Sequence, residues 1–278
     1  TSCFSRFSGS SKVGETTSVC ASYLKNLMAL GLIQKESPYG EKPSRKSIYS
    51  ISDNMFRFWY RFVPENNSII ARGAADLAYQ RIAPHLPDYM GKVFEEICRQ
   101  YLWALLLSGK CPVDFRELGR WWGTDPSSRS QAEIDIMGEQ DKDSALFCKC
   151  KWTNENVDAK VLEKLVSRGK LFHYRDTHFY LFAKCGFTKG CIEKAEDSGN
   201  VTLASYRDIL ELLLSGSSPA PAEILYLLLR WICGRIWLRI SGTDKGVPPC
   251  TIRSSAGQRL VSRLPHNAEQ VCDTHRLL

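Results

Sequence analysis

The hydrophobic positions of residues 17–51 first repeat as in a helix and then alternate as in strands. Apolar side chains recur at helical spacing behind a Thr/Ser-rich start and before Gly31, a residue type that commonly follows a helix; they are Cys20, Tyr23, Leu24, Leu27 and Leu30. Two short strands are predicted next, at 32–35 and 47–51, joined by a loop with a glycine and two prolines. This order of helix, strand, loop and strand predicts a winged helix.

A segment rich in aromatic residues follows at 55–62. As a helix it would carry rings on nearly all sides, which predicts burial against several neighbours. We expect residues 64–67 to break this helix, because they begin with a proline. A connecting helix is predicted at 69–82, with Pro84 and Pro87 closing it. This region is therefore interpreted as the joint between two modules.

Residues 89–214 alternate between helical and strand patterns in the order α-β-β-β-α-β-α-β-α. The predicted elements are helix 89–107, strands 117–123, 132–137 and 145–152, helix 157–170, strand 178–183, a helix near 192, strand 201–203 and helix 206–214. The sequence therefore predicts an α/β (α+β) fold, in which a winged helix precedes a domain with a central mixed sheet flanked by helices.

The character of the chain changes after Leu214. Residues 215–219 have the composition of a linker, 221–240 are predicted to form one amphipathic helix, and 241–278 show no periodicity. The predicted domains are a winged-helix module at 1–63 with an incomplete N-terminal part, a connecting helix at 64–88, a sheet domain at 89–214, and a tail at 215–278.

The net charge of +7 is spread unevenly along the chain. Residues 1–63 carry nine basic and four acidic side chains, whereas residues 64–214 carry 20 and 22. A basic N-terminal module favours DNA as the partner. The expected DNA contacts are Ser22, Lys25 and Asn26 on the helix, and Lys42, Arg45 and Lys46 on the wing.

The composition also excludes several classes of protein. No stretch reaches about 18 consecutive apolar residues, and no signal-peptide pattern opens the chain, so we expect a cytoplasmic protein without a membrane partner. The 11 cysteines include no Cys-x-x-Cys pair, so free thiols are expected rather than zinc ligands.

Acidic and lysine side chains lie on two neighbouring predicted strands of the sheet domain. Alternation puts Glu133 and Asp135 on one face of the second strand, and Lys149 and Lys151 on one face of the third. Glu95, on the preceding helix, is a candidate third acid. Carboxylates hold Mg²⁺ or Mn²⁺ in enzymes that cleave phosphodiesters, and a nearby lysine orients the attacking water or offsets charge in the transition state. These residues are therefore candidates for a nuclease active site.

Several motifs together resemble one known family. The stretch SYLKNLMALGLIQKESPYGEKPSRKSIYSISDNMFRFWYRFV is similar to the winged-helix region of archaeal-type ATPases. The motifs YMGKVFEEICRQYL, LGRWWG, EIDIMG, ALFCKCKW and KCGFTKG resemble domain-of-unknown-function family 234. That family is the C-terminal part of the same ATPases and is assigned to the PD-(D/E)XK nuclease superfamily. The likeness covers roughly residues 17–214.

The resemblance implies a helix acid at Glu95, a strand acid at Asp135 and a lysine at Lys151. The family has Glu-Cys-Lys-Trp on the third strand, but this chain has a lysine, Lys149, in place of the glutamate. At ~4 Å and an effective dielectric of about 20, each unit of charge is worth roughly 4 kcal/mol. We therefore expect the change to disfavour a divalent cation, whose ligands would otherwise be Asp135 and Glu95.

The ATPases of this family begin with a nucleotide-binding domain that carries a phosphate-binding loop. No Gly-x-x-x-x-Gly-Lys-[Ser/Thr] motif occurs in this chain, so we expect no ATP site in it. We interpret the chain as a fragment, the C-terminal portion of a longer protein with an unrelated tail. The resemblance implies an ATPase domain or subunit as a further partner.

Three hypotheses follow from the sequence. The leading one is a DNA-binding module, a winged helix joined to a nuclease-fold domain with an impaired metal site, in which Lys149 and Lys151 are candidates for a phosphate-binding patch. The second is a Mg²⁺- or Mn²⁺-dependent DNA endonuclease that uses Glu95, Glu133, Asp135 and Lys151. The third is an interaction module that docks an ATPase partner, with the wing packed on the ATPase domain instead of on DNA.

Overall fold

The computed structural model describes residues 14–44, 46–126 and 129–214. Arg45 and the predicted tail at 215–278, with its helix at 221–240, lie outside the described residues. No helix in the described part of the chain is long and apolar enough to cross a bilayer.

The N-terminal module has the predicted order of helix, strand, loop and strand. Helix α1 spans Thr17–Ala29, and strand β1 (Ile33–Glu36) pairs antiparallel with strand β2 (Ile48–Ile51). The hydroxyl of Thr16 accepts a hydrogen bond from the Val19 amide and so caps the helix start. The order of elements is confirmed, while the assignment to the winged-helix class stays a prediction.

The apolar face of α1 is less covered than its pattern predicts. Cys20 is buried, but Tyr23, Leu27 and Leu30 are all exposed. Helical spacing reports which side chains share a face, but it does not show whether another element of the chain covers that face. In the described residues, this face is left open.

Helix α2 spans Asn54–Ile70 and passes through Pro64 without a break, so the predicted break at 64–67 is wrong. A proline removes one backbone donor, and the helix tolerates this loss because its aromatic face is held by tertiary contacts. The rings of Phe58 and Phe62 lie 5.7 and 5.9 Å from that of Tyr89. The buried amide of Asn66 also donates to the Phe62 carbonyl at 2.8 Å.

The joint between the modules is shorter than predicted. The connecting helix α3 begins at Ala75 rather than near residue 69, and it spans Ala75–Ile82. A turn at residues 71–74 separates it from α2, with Gly73 at a φ of 75°. A short 3-10 helix (Ala83–His85) then leads directly into helix α4 (Leu86–Leu107).

The second module contains a mixed sheet of five strands in the order β3-β4-β5-β6-β7. The strands are β3 (Gly119–Asp125), β4 (Ser130–Glu139), β5 (Ser144–Lys151), β6 (Asp176–Ala183) and β7 (Val201–Ser205); the helices are α5 (Ala159–Gly169), α6 (Lys189–Ser198) and α7 (Tyr206–Leu214), with a 3-10 helix at Lys170–Phe172. The first three strands are antiparallel, and β5, β6 and β7 are parallel. The predicted element order and fold class are confirmed.

Helices cover both faces of this sheet. Helices α4 and α7 pack on one face, where Phe94, Leu102 and Ile209 join strand residues such as Cys148 and Phe182. Helices α5 and α6 pack on the other face. Neighbouring residues of β5 therefore alternate between two cores, with Phe147 facing α5 and Cys148 facing α4.

Candidate functional site

The candidate site lies where strands β4 and β5 separate. Trp121 pairs with Ile134 and Gly119 with Met137, so two steps along β3 match three along β4, and β4 contains a bulge of one residue. The pairing of β4 with β5 ends at Ile136 and Cys148. Asp135 lies just beyond the last pair, where its side chain can enter the space between the two strands.

Asp135 is the buried acid of the site, with only 1% of its surface exposed. Its Oδ2 accepts a hydrogen bond from the Cys150 amide at 2.8 Å, in a position where the strand pairing has already ended. Its Oδ1 lies 2.6 Å from Lys149 Nζ. Lys149 of β5 therefore supplies the counter-ion of Asp135, which satisfies the demand of a buried charge for a charged partner.

Glu95 reaches the same place from helix α4. Its carboxylate pairs with Lys92, one turn earlier on the helix, with Nζ 3.0 and 2.8 Å from the two oxygens. Burial, followed by the charge of Asp135, raises the pKa of Glu95, and Lys92 offsets only part of this effect.

Glu133 is the most exposed of the three acids and is held by Arg120 from the neighbouring strand. Arg120 Nε donates to its carboxylate at 2.7 Å, while the guanidinium lies 5.5 Å from the ring of Trp122. Burial alone would raise the pKa of Glu133, but the charge and hydrogen bond of Arg120 lower it overall. Arg168, near the end of α5, donates to the backbone carbonyl of Glu133 at 2.6 Å.

The ligand atoms of the three acids and the distances between them are compatible with a divalent cation. Glu95, Glu133 and Asp135 each offer one oxygen, and these oxygens lie within 4.8 Å of one another. Their charges are already balanced, however, because each carboxylate is paired with a cation of the same chain. A divalent ion would have to displace three ion pairs and would meet Lys149 beside its most buried ligand. The charge balance of the site therefore does not suit such an ion.

The predicted site residues divide into two groups. Glu95, Glu133, Asp135 and Lys149 come together, whereas Lys151 makes no ion pair within the described part of the chain. Lys92, Arg120 and Arg168 were not predicted. Lys92 follows the spacing of a helical ion pair with Glu95 and was detectable from sequence. Arg120 and Arg168 were not, because their contacts depend on strand register and helix packing.

Apart from Arg45, which lies outside the described residues, the predicted DNA-contacting residues are exposed, and none of them pairs with the three acids. Ser22, Lys25 and Asn26 are exposed on α1. In the β1–β2 loop, Lys42 is exposed, and Lys46 pairs with Glu41 at 2.8 Å. The loop also contacts the sheet domain of the same chain, because the Tyr39 amide donates to the Arg120 carbonyl at 2.9 Å.

Comparisons with known proteins support the resemblance in part. A family profile described as archaeal and bacterial proteins of unknown function, the same family named above, matches residues 59–162. An uncharacterized protein of Methanocaldococcus jannaschii is 32% identical over 162 residues, which make up 57% of this chain and 35% of that protein. The chain therefore spans about a third of the length of this relative. The ATPase resemblance stays a prediction.

A solved structure also shows a distant similarity. The DNA modification-dependent restriction endonuclease AspBHI is 19% identical over 54% of this chain and 39% of its own, with a TM-score of 0.27. A score this low supports no inference about function. The assignment of the fold class therefore depends on the strand order and helix positions described above.

Proposed function

We propose that this protein binds the DNA backbone, and that its nuclease-like domain contributes a cationic centre instead of a metal site. The observation that supports this most strongly is the charge of the centre. Lys92, Arg120, Lys149 and Arg168 surround three carboxylates, so four positive charges face three negative ones. A centre with this balance attracts a phosphate and repels a divalent cation.

Lys149 determines this character. A glutamate at this position would give four carboxylates and three cations, a net charge of −1 instead of +1. The lysine also forms an ion pair with Asp135, the acid with the least exposure to solvent. Lys151 lies two residues further along β5, and strand alternation gives its side chain the same face as Lys149.

The N-terminal module contributes the second part of the proposed DNA surface. Its net charge of +5 comes from side chains that include Lys25, Lys42, Arg45 and Lys46, and Ser22 and Asn26 lie on the same exposed face of α1 as Lys25. Contacts of this kind bind phosphates without reading bases. We propose further that an ATPase domain or subunit works with this chain, as the family resemblance implies.

The DNA proposal is tested by the affinity of the purified chain for a labelled duplex across a salt series. We expect salt-sensitive binding that weakens in Lys149→Gln, with the salt slope reduced by about 1 for one lost phosphate contact. Lys142→Gln, which removes the same charge from the exposed β4–β5 connection, is the matched control. The proposal fails if the wild-type chain binds no duplex, or if the two variants weaken binding equally.

A metal-dependent DNA endonuclease is the second candidate, favoured by the convergence of three carboxylate oxygens within 4.8 Å. It would use Glu95, Glu133, Asp135 and Lys151. Incubation of plasmid DNA with the protein and Mn²⁺ distinguishes the candidates. Cleavage that is lost in Asp135→Ala would establish the nuclease, whereas intact plasmid under conditions where DNA is bound would exclude it.

A further inference from the structure

Tyr39, in the loop between β1 and β2, attaches the N-terminal module to the sheet domain. Its backbone amide donates to the Arg120 carbonyl at 2.9 Å. Its hydroxyl accepts from the Glu139 amide at 3.2 Å. These two bonds join the loop to strands β3 and β4, and the ring packs beside the core formed by Ile134 and Phe147. The partial burial of this ring raises the pKa of Tyr39.

Gly119 leaves room for the ring of Tyr39 because it has no side chain. A Cβ at residue 119 would lie 2.5 Å from Tyr39 Cδ2, a distance that van der Waals contacts do not allow. The ring therefore occupies the space that any other residue at 119 would fill. The φ angle of Gly119 is not positive, so the backbone does not require a glycine at this position. The close approach of the Tyr39 ring does require one.

The loop that carries Tyr39 has a fixed shape of its own. Ser47 is buried, and its hydroxyl bonds to the Ser37 hydroxyl at 2.8 Å and to the Ser44 amide at 3.0 Å. Lys46 and Glu41 pair across the loop at 2.8 Å. Because these bonds cross the loop, we expect a change in the position of Tyr39 to move Lys42 and Lys46, which lie in the same loop.

Arg120 connects this attachment to the cationic centre. Its carbonyl receives the Tyr39 amide, while its guanidinium holds Glu133. Burial lowers the pKa of the Arg120 guanidinium, but the charge and hydrogen bond of Glu133 raise it overall, and the charge of Glu36 at the end of β1 adds a smaller contribution. Arg120 therefore contacts both the N-terminal module and the centre.

We propose that Tyr39 is a positioning residue, which aligns the lysines of the β1–β2 loop with the cationic centre so that both contact one DNA duplex at the same time. This inference rests on the proposed DNA binding. Two groups of phosphate contacts on one rigid surface bind more tightly than two groups on separately moving modules, because the second contact forms at a high effective concentration. Tyr39 itself contacts no phosphate in this account.

The test compares four variants of the whole chain for affinity to a labelled duplex and for the salt slope of that affinity. Tyr39→Ala removes the ring, and Gly119→Ala inserts a methyl group into its place. Tyr39→Phe keeps the ring and the backbone bond. Tyr60→Ala, at an exposed residue of α2, is the matched control.

We expect Tyr39→Ala and Gly119→Ala to bind at least about tenfold more weakly with a shallower salt slope, since one group of contacts is lost. Tyr39→Phe and Tyr60→Ala should remain close to wild type. Wild-type affinity and slope in both Tyr39→Ala and Gly119→Ala would overturn the inference, while Lys149→Gln would still test the centre alone. A wild-type chain that binds no duplex would overturn the proposed function itself.

Hydrogen exchange on the unmodified chain provides a measurement that does not depend on folding of the variants. The amides of Tyr39 and Glu139 should exchange slowly, because each donates across the contact between the two modules. Exchange of both amides at the rate of an open loop would show that the modules are not attached, and the inference would then be wrong even if a variant cannot be purified.

Discussion

Lys149 is the counter-ion of Asp135, the most buried acid of the centre. Its ammonium lies 2.6 Å from the carboxylate of Asp135, which has almost no contact with solvent. A buried ion pair of this kind contributes little net stability, but removal of one partner leaves an uncompensated charge. The lysine therefore both neutralises the acid and makes the acid dependent on it.

The first prediction is that Lys149→Glu creates affinity for a divalent cation. The variant would have four carboxylates near the position that the ammonium group holds, and calorimetric titration with Mn²⁺ should give binding at least about tenfold tighter than in wild type. Lys142→Glu makes the same charge change at the far end of the β4–β5 hairpin and should leave the titration unchanged. Equal, weak titrations of wild type and Lys149→Glu would contradict this account of the centre.

The second prediction is that Glu95 and Glu133 affect stability in opposite directions as the pH changes. The pKa of Glu95 is raised, so its support for folding is complete below the ordinary glutamate value of 4.5 and is lost as the pH rises through the raised pKa. The pKa of Glu133 is lowered, so its support is present above 4.5 and is lost as the pH falls through the lowered pKa.

This prediction is checked by denaturant unfolding at several pH values. Relative to wild type, Glu95→Gln should become more stable as the pH rises above 4.5, whereas Glu133→Gln should become less stable as the pH rises toward 4.5 from below. The glutamines keep the shape of the acids and remove only their charge. Parallel pH profiles for the two variants would show that the pKa values of the two acids are not shifted in opposite directions.

At the scale of elements, the sequence predicts the type and order of nearly all helices and strands in the described residues. Strand β5 has a continuous apolar run at residues 145–148 because the sheet is covered on both faces, so Phe147 and Cys148 each enter a core. The prediction was wrong at Pro64, where tertiary contacts of Phe58 and Phe62 outweigh the local cost of a proline. Local propensity does not include such contacts.

The site was only partly predictable for a similar reason. The acids and lysines were visible as residue types on adjacent strands. The bulge in β4 was not, and because of it Ile134 and Ile136 pack on opposite faces of the sheet although they are two residues apart. The pairing of Arg120 with Glu133 depends on that register. Strand alternation therefore identified Glu133 and Asp135 but could not show that Arg120 is the counter-ion of Glu133.

The third prediction concerns the packing of helix α5 on the sheet. A Cβ at Gly169, the last residue of the helix, would lie 2.6 Å from the ring of Phe179. We expect Gly169→Ala to destabilise the protein by about 1–3 kcal/mol, because the core on this face has no space for a methyl group. Gly190→Ala, in helix α6, would meet nothing within 4 Å.

Gly190→Ala is therefore the matched control, and it should not destabilise the protein, because the added methyl group meets open space and alanine favours a helix more than glycine does. Urea unfolding of the two variants measures both effects. A Gly169→Ala variant as stable as Gly190→Ala would show that α5 does not pack on Phe179 as closely as described. Arg168 precedes Gly169 and donates a hydrogen bond to the Glu133 carbonyl, so Gly169→Ala also tests whether the packing of α5 holds Glu133 in place.

At the scale of the whole molecule, two modules of different character present positive charge. The sequence of the N-terminal module carries a net charge of +5, and its Lys25, Lys42 and Lys46 are exposed. Residues 64–214 are close to neutral, and three of their cations pair with the three acids of the centre. Tyr39 joins the two modules at the strand that carries Arg120. This distribution suits a partner with a regular array of negative charges, which the DNA backbone provides.

The most direct test of a cationic, metal-independent centre is one titration of a labelled DNA duplex with the wild-type chain, run in parallel with EDTA and with Mn²⁺. A cationic centre predicts binding in EDTA that Mn²⁺ does not strengthen, because Lys149 already provides the positive charge beside Asp135. Binding that occurs only with Mn²⁺, or that Mn²⁺ strengthens by about tenfold or more, would contradict it, since the acids would then be holding the ion whose place the lysine takes.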